Sequence, residues 1–259
     1  MHAVRVVLEG TTTSFRFPHF LVGRQPTFPM PPPSTIYGHI CSALGELVDP
    51  ASLQFAYHFQ YTGRADDVEA AHLLELGSGR MDRALGAPKN VEATLNPLRR
   101  EVLLHPRLTL YVSSTETAGL TLDRLQAAFR EPYYCVALGR SQDLAAYRSV
   151  DRVDLVQAPG AYFEGTLLPW EYRWRTGQGI PLLLPRHLDP NDRQVVHWAS
   201  YVVLERRIFL APPGEEGTLA PASRLRRLAA DEQVWVDRDS PPVRGLHRAV
   251  VWHGFIGGE

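Results

Sequence analysis

Twice in its first 156 residues the chain passes from an alternating, strand-like pattern to a helical one and back. Val4, Val6 and Leu8 alternate with Arg5, Val7 and Glu9, the period of a half-buried strand. Ile36, Ile40, Leu44 and Leu47 then fall at helical spacing and predict a helix over 35–47, with Ser34 placed to cap it. Residues 53–61 alternate again. After an excursion, residues 106–112 read as a strand, 120–129 as a helix that ends before Pro132, and 152–156 as a further strand. The resulting order, β-α-β, excursion, β-α-β, is that of a ferredoxin-like split βαβ unit with one insertion.

A proline track, Pro26-Thr27-Phe28-Pro29-Met30-Pro31-Pro32-Pro33, leads into the first helix. Each residue before a proline is pushed to extended geometry, so this is a stiff approach segment. The excursion differs in character. Between Arg80 and Arg107 six basic residues (Arg80, Arg83, Lys89, Arg99, Arg100 and Arg107) face Asp82, Glu92 and Glu101. Such a stretch is either a solvated loop or a segment that meets an anion. Beyond residue 160 lie all five tryptophans and several short apolar runs, which read as a β-rich region.

Composition excludes several chemistries. Of 27 basic residues only Lys89 is a lysine, and it does not follow glycine in a P-loop. No His-Glu-x-x-His or Cys-x-x-Cys spacing points to a metal, and Gly139-Arg140-Ser141-Gln142-Asp143 lacks the second glycine of a nucleophile elbow. No cofactor is expected. Two cysteines, Cys41 and Cys135, make no disulfide framework, and no run is long and apolar enough to span a bilayer, so a cytoplasmic protein without membrane contact is expected. The arginine excess fits a GC-rich genome as well as it fits phosphate contact. A net charge of −1 argues against wrapping duplex DNA and leaves room for a local basic groove.

Two places read as anion contacts. At the start of the first helix, Ser34 and Thr35 offer hydroxyls, Tyr37 a stacking face, and Arg16 and Arg24 lie on the segment leading in; the alternative is that Ser34 only caps its helix. From Ser14 to Ile40 there is no acidic residue. In Leu138-Gly139-Arg140-Ser141-Gln142-Asp143, Arg140 and Ser141 can meet a phosphate, or the segment is an ordinary turn.

Together these segments resemble a known family. Ser14-Phe15-Arg16-Phe17-Pro18, followed by the proline track and Ser34-Thr35-Ile36-Tyr37-Gly38, is similar to the amino-terminal signature of the CRISPR-associated Cas-five family, and Leu138–Leu144 resembles its second signature. The wording is closest to type I-A or I-B members. The resemblance implies an α+β fold: a ferredoxin-like (RRM-like) palm over 1–157, a β-hairpin thumb inserted at about 77–105, and a β-rich carboxy-terminal region at 158–259. It implies a structural, non-catalytic RAMP subunit of a type I Cascade complex that holds the 5′ handle of the crRNA and caps the backbone filament. Partners would be the crRNA, the Cascade backbone and large subunits and, through the complex, target DNA. Arg16, Arg24, Ser34, Thr35, Tyr37, Arg140 and Ser141 would contact RNA; Lys89, Arg99 and Arg100 would serve the thumb. One subtype of the family processes precursor crRNA without metal, through tyrosine, lysine and histidine. Here Tyr37 is present, but Lys89 has no histidine beside it, so cleavage would fall to His105 with an arginine. A stand-alone β-rich binding protein is the third reading.

Overall fold

The computed structural model describes residues 1–20, 23–84, 86–88, 91–115, 119–192, 195–215, 217 and 219–257. Strand β1 (His2–Gly10) buries Ala3, Val4, Val6 and Leu8, and short β2 (Thr12–Thr13) and β3 (Arg24–Gln25) follow. Helix α1 (Pro33–Leu44) begins two residues earlier than the spacing predicts. Its N-cap is Pro32 and no side chain caps it, so Ser34 is not the cap but the second helical residue. Proline at the first helical position needs no N–H partner and already has a helical φ. The helix stops at Gly45, in the left-handed region at φ 77°, whose N–H donates to the Cys41 carbonyl at 2.9 Å.

Strand β4 (Leu53–Gln60) precedes a long ribbon. Its strands are β5 (Gly63–Leu76) and β8 (Val91–Leu104), with β6 (Met81–Asp82) and β7 (Ala87–Pro88) paired near its tip. Register runs from Gly63↔Leu104 to Leu76↔Val91. The excursion expected at 77–105 is therefore the tip and the returning strand of a hairpin that starts at Gly63. Asp66, Asp67, Glu69 and Glu75 lie on its outgoing strand. At its base β8 also pairs β2 antiparallel and β3 parallel.

Strand β9 (Arg107–Ser114), helix α2 (Leu122–Arg130) and strand β10 (Ala145–Asp154) complete the first sheet, with order β10-β1-β9-β4 and every pair antiparallel. Thr121 caps α2 by accepting from the Arg124 N–H, and Asp123 and Arg130 suit the helix dipole. Leu122, Leu125 and Phe129 of α2 pack with Ile36 and Ile40 of α1 and with Val6, Leu110 and Phe55 of the sheet.

The remaining strands are β11 (Val156–Ala158), β12 (Ala161–Phe163), β13 (Thr166–Pro169), β14 (Ile180–Leu188), β15 (Val196–Leu204), β16 (Ile208–Leu210), β17 (Val234–Asp237), β18 (Arg248–Ala249) and β19 (His253–Gly254), all but β14 and β15 short. They form sheets β11-β17-β18-β12-β16 and β13-β15-β14, while β19 returns to pair β4 in the first sheet. A second core gathers Phe163, Leu168, Val202, Leu204, Ile208, Leu210 and Val236. Leu167, Leu184, Tyr201, Val203 and Phe255 instead join the first core, so α1 is covered on its outer side by the carboxy-terminal strands. The fold is α+β, dominated by sheet. Among the described residues no helix is long and apolar enough to cross a membrane.

Candidate functional site

The start of α1 opens on a pocket of about 300 Å³ lined by Phe15, Arg16, Pro18, Pro32, Ser34, Thr35, Pro185, Leu188, Val196 and Trp198. No carboxylate lines it. Arg16 is exposed, its backbone bridges Thr27, and its guanidinium has no carboxylate partner among the described residues. Ser34 and Thr35 are half-buried in the first turn. The Thr35 and Ile36 N–H groups turn back to the Pro32 carbonyl at 2.9 and 3.2 Å, so the hydroxyls carry more of the hydrogen-bonding capacity than the backbone does. A guanidinium, two hydroxyls and the positive end of a helix bring anion-binding groups to one side of a pocket whose other walls are apolar, Trp198 among them.

The other predicted contacts fall elsewhere. Tyr37 is 6% exposed and belongs to the core. Its hydroxyl donates to the Val48 carbonyl at 2.6 Å, and its ring meets His187 and Phe255 edge-on at 5.0 and 5.3 Å. Burial holds the phenol protonated far above its ordinary range. The predicted stacking face is therefore used inside the protein, because the carboxy-terminal strands cover that side of α1.

Arg24 is exposed but pairs with Asp66 at 3.2 Å and Glu101 at 3.7 Å, and Arg99 meets the same Asp66 at 3.4 Å. The two arginines are neighbours in the β3/β8 register, so one carboxylate serves both.

Arg140 was expected to hold a phosphate bidentately. It instead holds Asp143, three residues on, through Nε and Nη2 at 2.7 Å each. Its Nη1 reaches Glu69 of the hairpin, which also takes the Arg100 Nε at 2.7 Å. Asp143 accepts in addition from the Thr12 hydroxyl at 2.9 Å. Arg100, Glu69, Arg140 and Asp143 thus tie the hairpin base to the 138–144 loop, and the flanking guanidinium groups hold the Glu69 carboxyl below its ordinary range, against the opposing effect of burial. Gly139 makes that loop possible: it sits at φ 95°, and a Cβ there would lie 2.6 Å from the Thr13 hydroxyl and 2.7 Å from the Ser14 carbonyl. Ser141 stays exposed at the loop's tip. Lys89 lies outside the described residues.

A larger cleft of about 1050 Å³ lies between hairpin base and sheet, lined by His105, Arg107, Arg148, Glu9, Tyr61 and Glu205 among others. His105 is exposed and adopts φ 49°, which few non-glycine residues do. Its N–H donates to the Thr11 carbonyl at 2.8 Å and its Nδ1 lies 3.1 Å from the Thr62 hydroxyl. Glu9 neutralises both Arg107 and Arg148, at 3.1 and 2.7 Å.

Trp198 is the residue sequence reading missed. It stacks on exposed His19 with ring centroids 5.6 Å apart. Nothing in local spacing links it to Ser34; β14 packs beside α1, and its pairing with β15 brings Trp198 there.

The profile of a family described as CRISPR-associated protein (Cas_Cas5) matches residues 3–203. Solved structures that are similar include a "CRISPR RNA-guided surveillance complex" chain, at 18% identity and TM-score 0.48, over 78% of this chain and 88% of that one. A CRISPR protein from Archaeoglobus fulgidus aligns at 12% identity and TM-score 0.42, over 81% and 91%. A further Cas protein aligns at 18% identity and TM-score 0.37, over 80% and 94%. No curated protein sequence matches the chain.

Proposed function

The chain belongs to the CRISPR-associated Cas5 family, and from that premise we propose that it is an RNA-holding structural subunit of a type I Cascade complex, of the I-A or I-B kind. We read β1-α1-β4 and β9-α2-β10, with sheet order β10-β1-β9-β4, as a ferredoxin-like palm, and the β5–β8 hairpin as its thumb. The subunit grips the 5′ handle of the crRNA and caps the row of backbone subunits, beside the large subunit. Target DNA is met by guide pairing in the assembled complex, with protein holding backbone and shape. It works in the cytoplasm.

The observation that carries this reading is the pocket at the start of α1. Arg16 lines it with no carboxylate partner among the described residues, beside the Ser34 and Thr35 hydroxyls. Single-stranded RNA is held through phosphates, 2′-hydroxyls and splayed bases, and the pocket offers a partner for each: guanidinium, hydroxyls and the Trp198 ring. Arg24, Arg100 and Arg140 serve the reading indirectly, by fixing the thumb base and the 138–144 loop around the handle.

The endoribonuclease alternative loses its tyrosine, since the Tyr37 hydroxyl is buried against Val48. His105, on the large cleft with Arg107 and Arg148, is the group that reading would turn on.

One incubation separates the two. The purified chain is mixed in EDTA with RNA of its own locus's repeat sequence, alone and with the backbone subunit, and run on native and denaturing gels. The expected outcome is intact RNA in a shifted band, weakened several-fold by Arg16→Ala. A discrete cut, lost in His105→Ala, would overturn the structural role.

A further inference from the structure

Trp198 lines two cavities. One is the pocket at the start of α1; the other is a groove of about 770 Å³ on the carboxy-terminal strands. The groove's walls include Trp170, His197, Tyr201, Trp252 and Phe255, and its size is that of a site for a small organic ring system. Its geometry is set by β13, β15 and β19: the Arg186 guanidinium donates to the Gly254 and Ile256 carbonyls at 3.0 and 3.2 Å and fixes the final strand against β14.

The far rim carries a second aromatic–cation group. The Arg173 guanidinium lies 4.6 Å from the Trp170 ring and 4.7 Å from the Trp174 ring. Trp170 is 38% exposed and Trp174 73% exposed. Trp174 buries little of its own ring, so packing alone does not explain it. Arg173 donates to the Trp170 carbonyl and has no carboxylate partner among the described residues. Glu171 is the one carboxylate that lines the groove among them.

We propose that single-stranded RNA held at the start of α1 continues across Trp198 into this groove, its bases stacking on Trp198 and Trp170 and a phosphate meeting Arg173. The inference rests on the RNA-holding role of the α1 pocket. Its basis is that Trp198 lines both cavities, and the match of chemistry. Arg16 and Arg173, which have no carboxylate partner among the described residues, stand at the two cavities, and aromatic rings line both. A strand of nucleotides presents the complement, phosphates at intervals and a π-face on every base. A protein partner would use the apolar walls but has no need of the two open cations.

The test uses the full chain and a fluorescein-labelled single-stranded RNA of the repeat's 5′-handle sequence, with an oligouridylate of the same length as a second probe. Loss of one base-stacking partner weakens such complexes by about tenfold. Trp198→Ala is expected to do so for both probes, with Trp198→Phe recovering most of the affinity and Arg173→Ala weakening binding less steeply with salt. The exposed His19→Ala variant reports on the same ring without touching the core, and is expected to weaken binding in the same direction. If Arg16→Ala weakens binding while Trp198→Ala, His19→Ala and Arg173→Ala leave it unchanged, the track is overturned and the α1 pocket stands alone. If Arg16→Ala is also silent, the RNA-holding reading falls with it. If Trp198→Ala spares RNA but abolishes capture of the purified backbone or large subunit, the groove is a protein interface and the inference fails.

Discussion

Arg140 is surrounded by carboxylates: Asp143 in its own loop, Glu69 across the hairpin, and Asp67 at 3.8 Å. Asp143 is 2% exposed, so its charge is tolerable only while the guanidinium and the Thr12 hydroxyl face it. Arg140→Ala removes one partner of a nearly buried pair and is expected to cost about 3 kcal/mol in urea unfolding. Arg140→Lys should recover only part of this, because an ammonium cannot span two carboxylate oxygens. A loss below ~0.5 kcal/mol would mean that Asp143 is solvated in solution and that Arg140 is available for phosphate after all. The 138–144 motif was legible as a place where glycine and arginine matter. What was not legible is that its own aspartate, three residues on, takes the guanidinium. The same holds for Tyr37 and Trp198: the sequence shows the aromatic groups, while only the tertiary cover of α1 decides which is core and which is open.

Among the elements, the hairpin divides at its middle. Near the palm, Val102 and Leu103 are buried and Arg100 is 8% exposed. Toward the tip, Val68, Leu74, Leu76 and Leu95 are all more than half exposed. Little apolar area leaves water there, so the distal half contributes little to the stability of the whole. Replacing residues 70–97 by a two-residue Asn-Gly turn, which joins Glu69 to its partner Leu98, should leave the far-ultraviolet spectrum of a folded chain and shift Tm by no more than a few degrees. A collapse in Tm would show the tip packing against the body. This exposure also explains what the sequence could and could not reveal. Strands β1, β4 and β9 and helix α2 were readable because their apolar residues alternate or repeat; of β10 only its end, near the strand expected at 152–156, was, since most of its residues are half-buried or exposed. The outgoing strand from Gly63 was not, since neither distal face is buried and its acidic residues mask the period. The carboxy-terminal strands of only two to four residues are too short to show a period at all.

At the scale of the whole molecule, three histidines, His39 and His58 buried and His253 half-buried, join segments far apart in the chain. His39 of α1 lies between the Ala137 carbonyl at 3.1 Å and the Tyr147 hydroxyl at 2.9 Å. His58 of β4 meets the Glu164 carbonyl at 2.7 Å, and His253 of β19 meets the Leu167 carbonyl at 3.1 Å, so both tie the first sheet to the segment that runs into β13. A neutral imidazole bonded to a carbonyl must donate there; for His39 the proton sits on Nδ1, and Nε2 accepts from Tyr147. Burial lowers all three to about 4, most strongly opposed by those carbonyl bonds at His39 and His253, while Arg248 reinforces the lowering at His58. Unfolded, each titrates near 6.5. Between about pH 6.5 and 4 the unfolded chain therefore binds protons that the folded chain refuses, and stability falls as pH falls. Each histidine contributes a slope of about 1.4 kcal/mol per pH unit, roughly 4 for the three together. Across the window from pH 6.5 to 4 the loss is about 10 kcal/mol, comparable with the ~5–15 kcal/mol stability of an ordinary domain. Thermal unfolding followed from pH 8 to pH 4 should show Tm level down to about 6.5 and then falling steeply, with more than one proton taken up per molecule on unfolding near pH 5. A Tm that stays level to pH 4.5 would mean that these imidazoles reach water, and that the segments they join are not locked together through them.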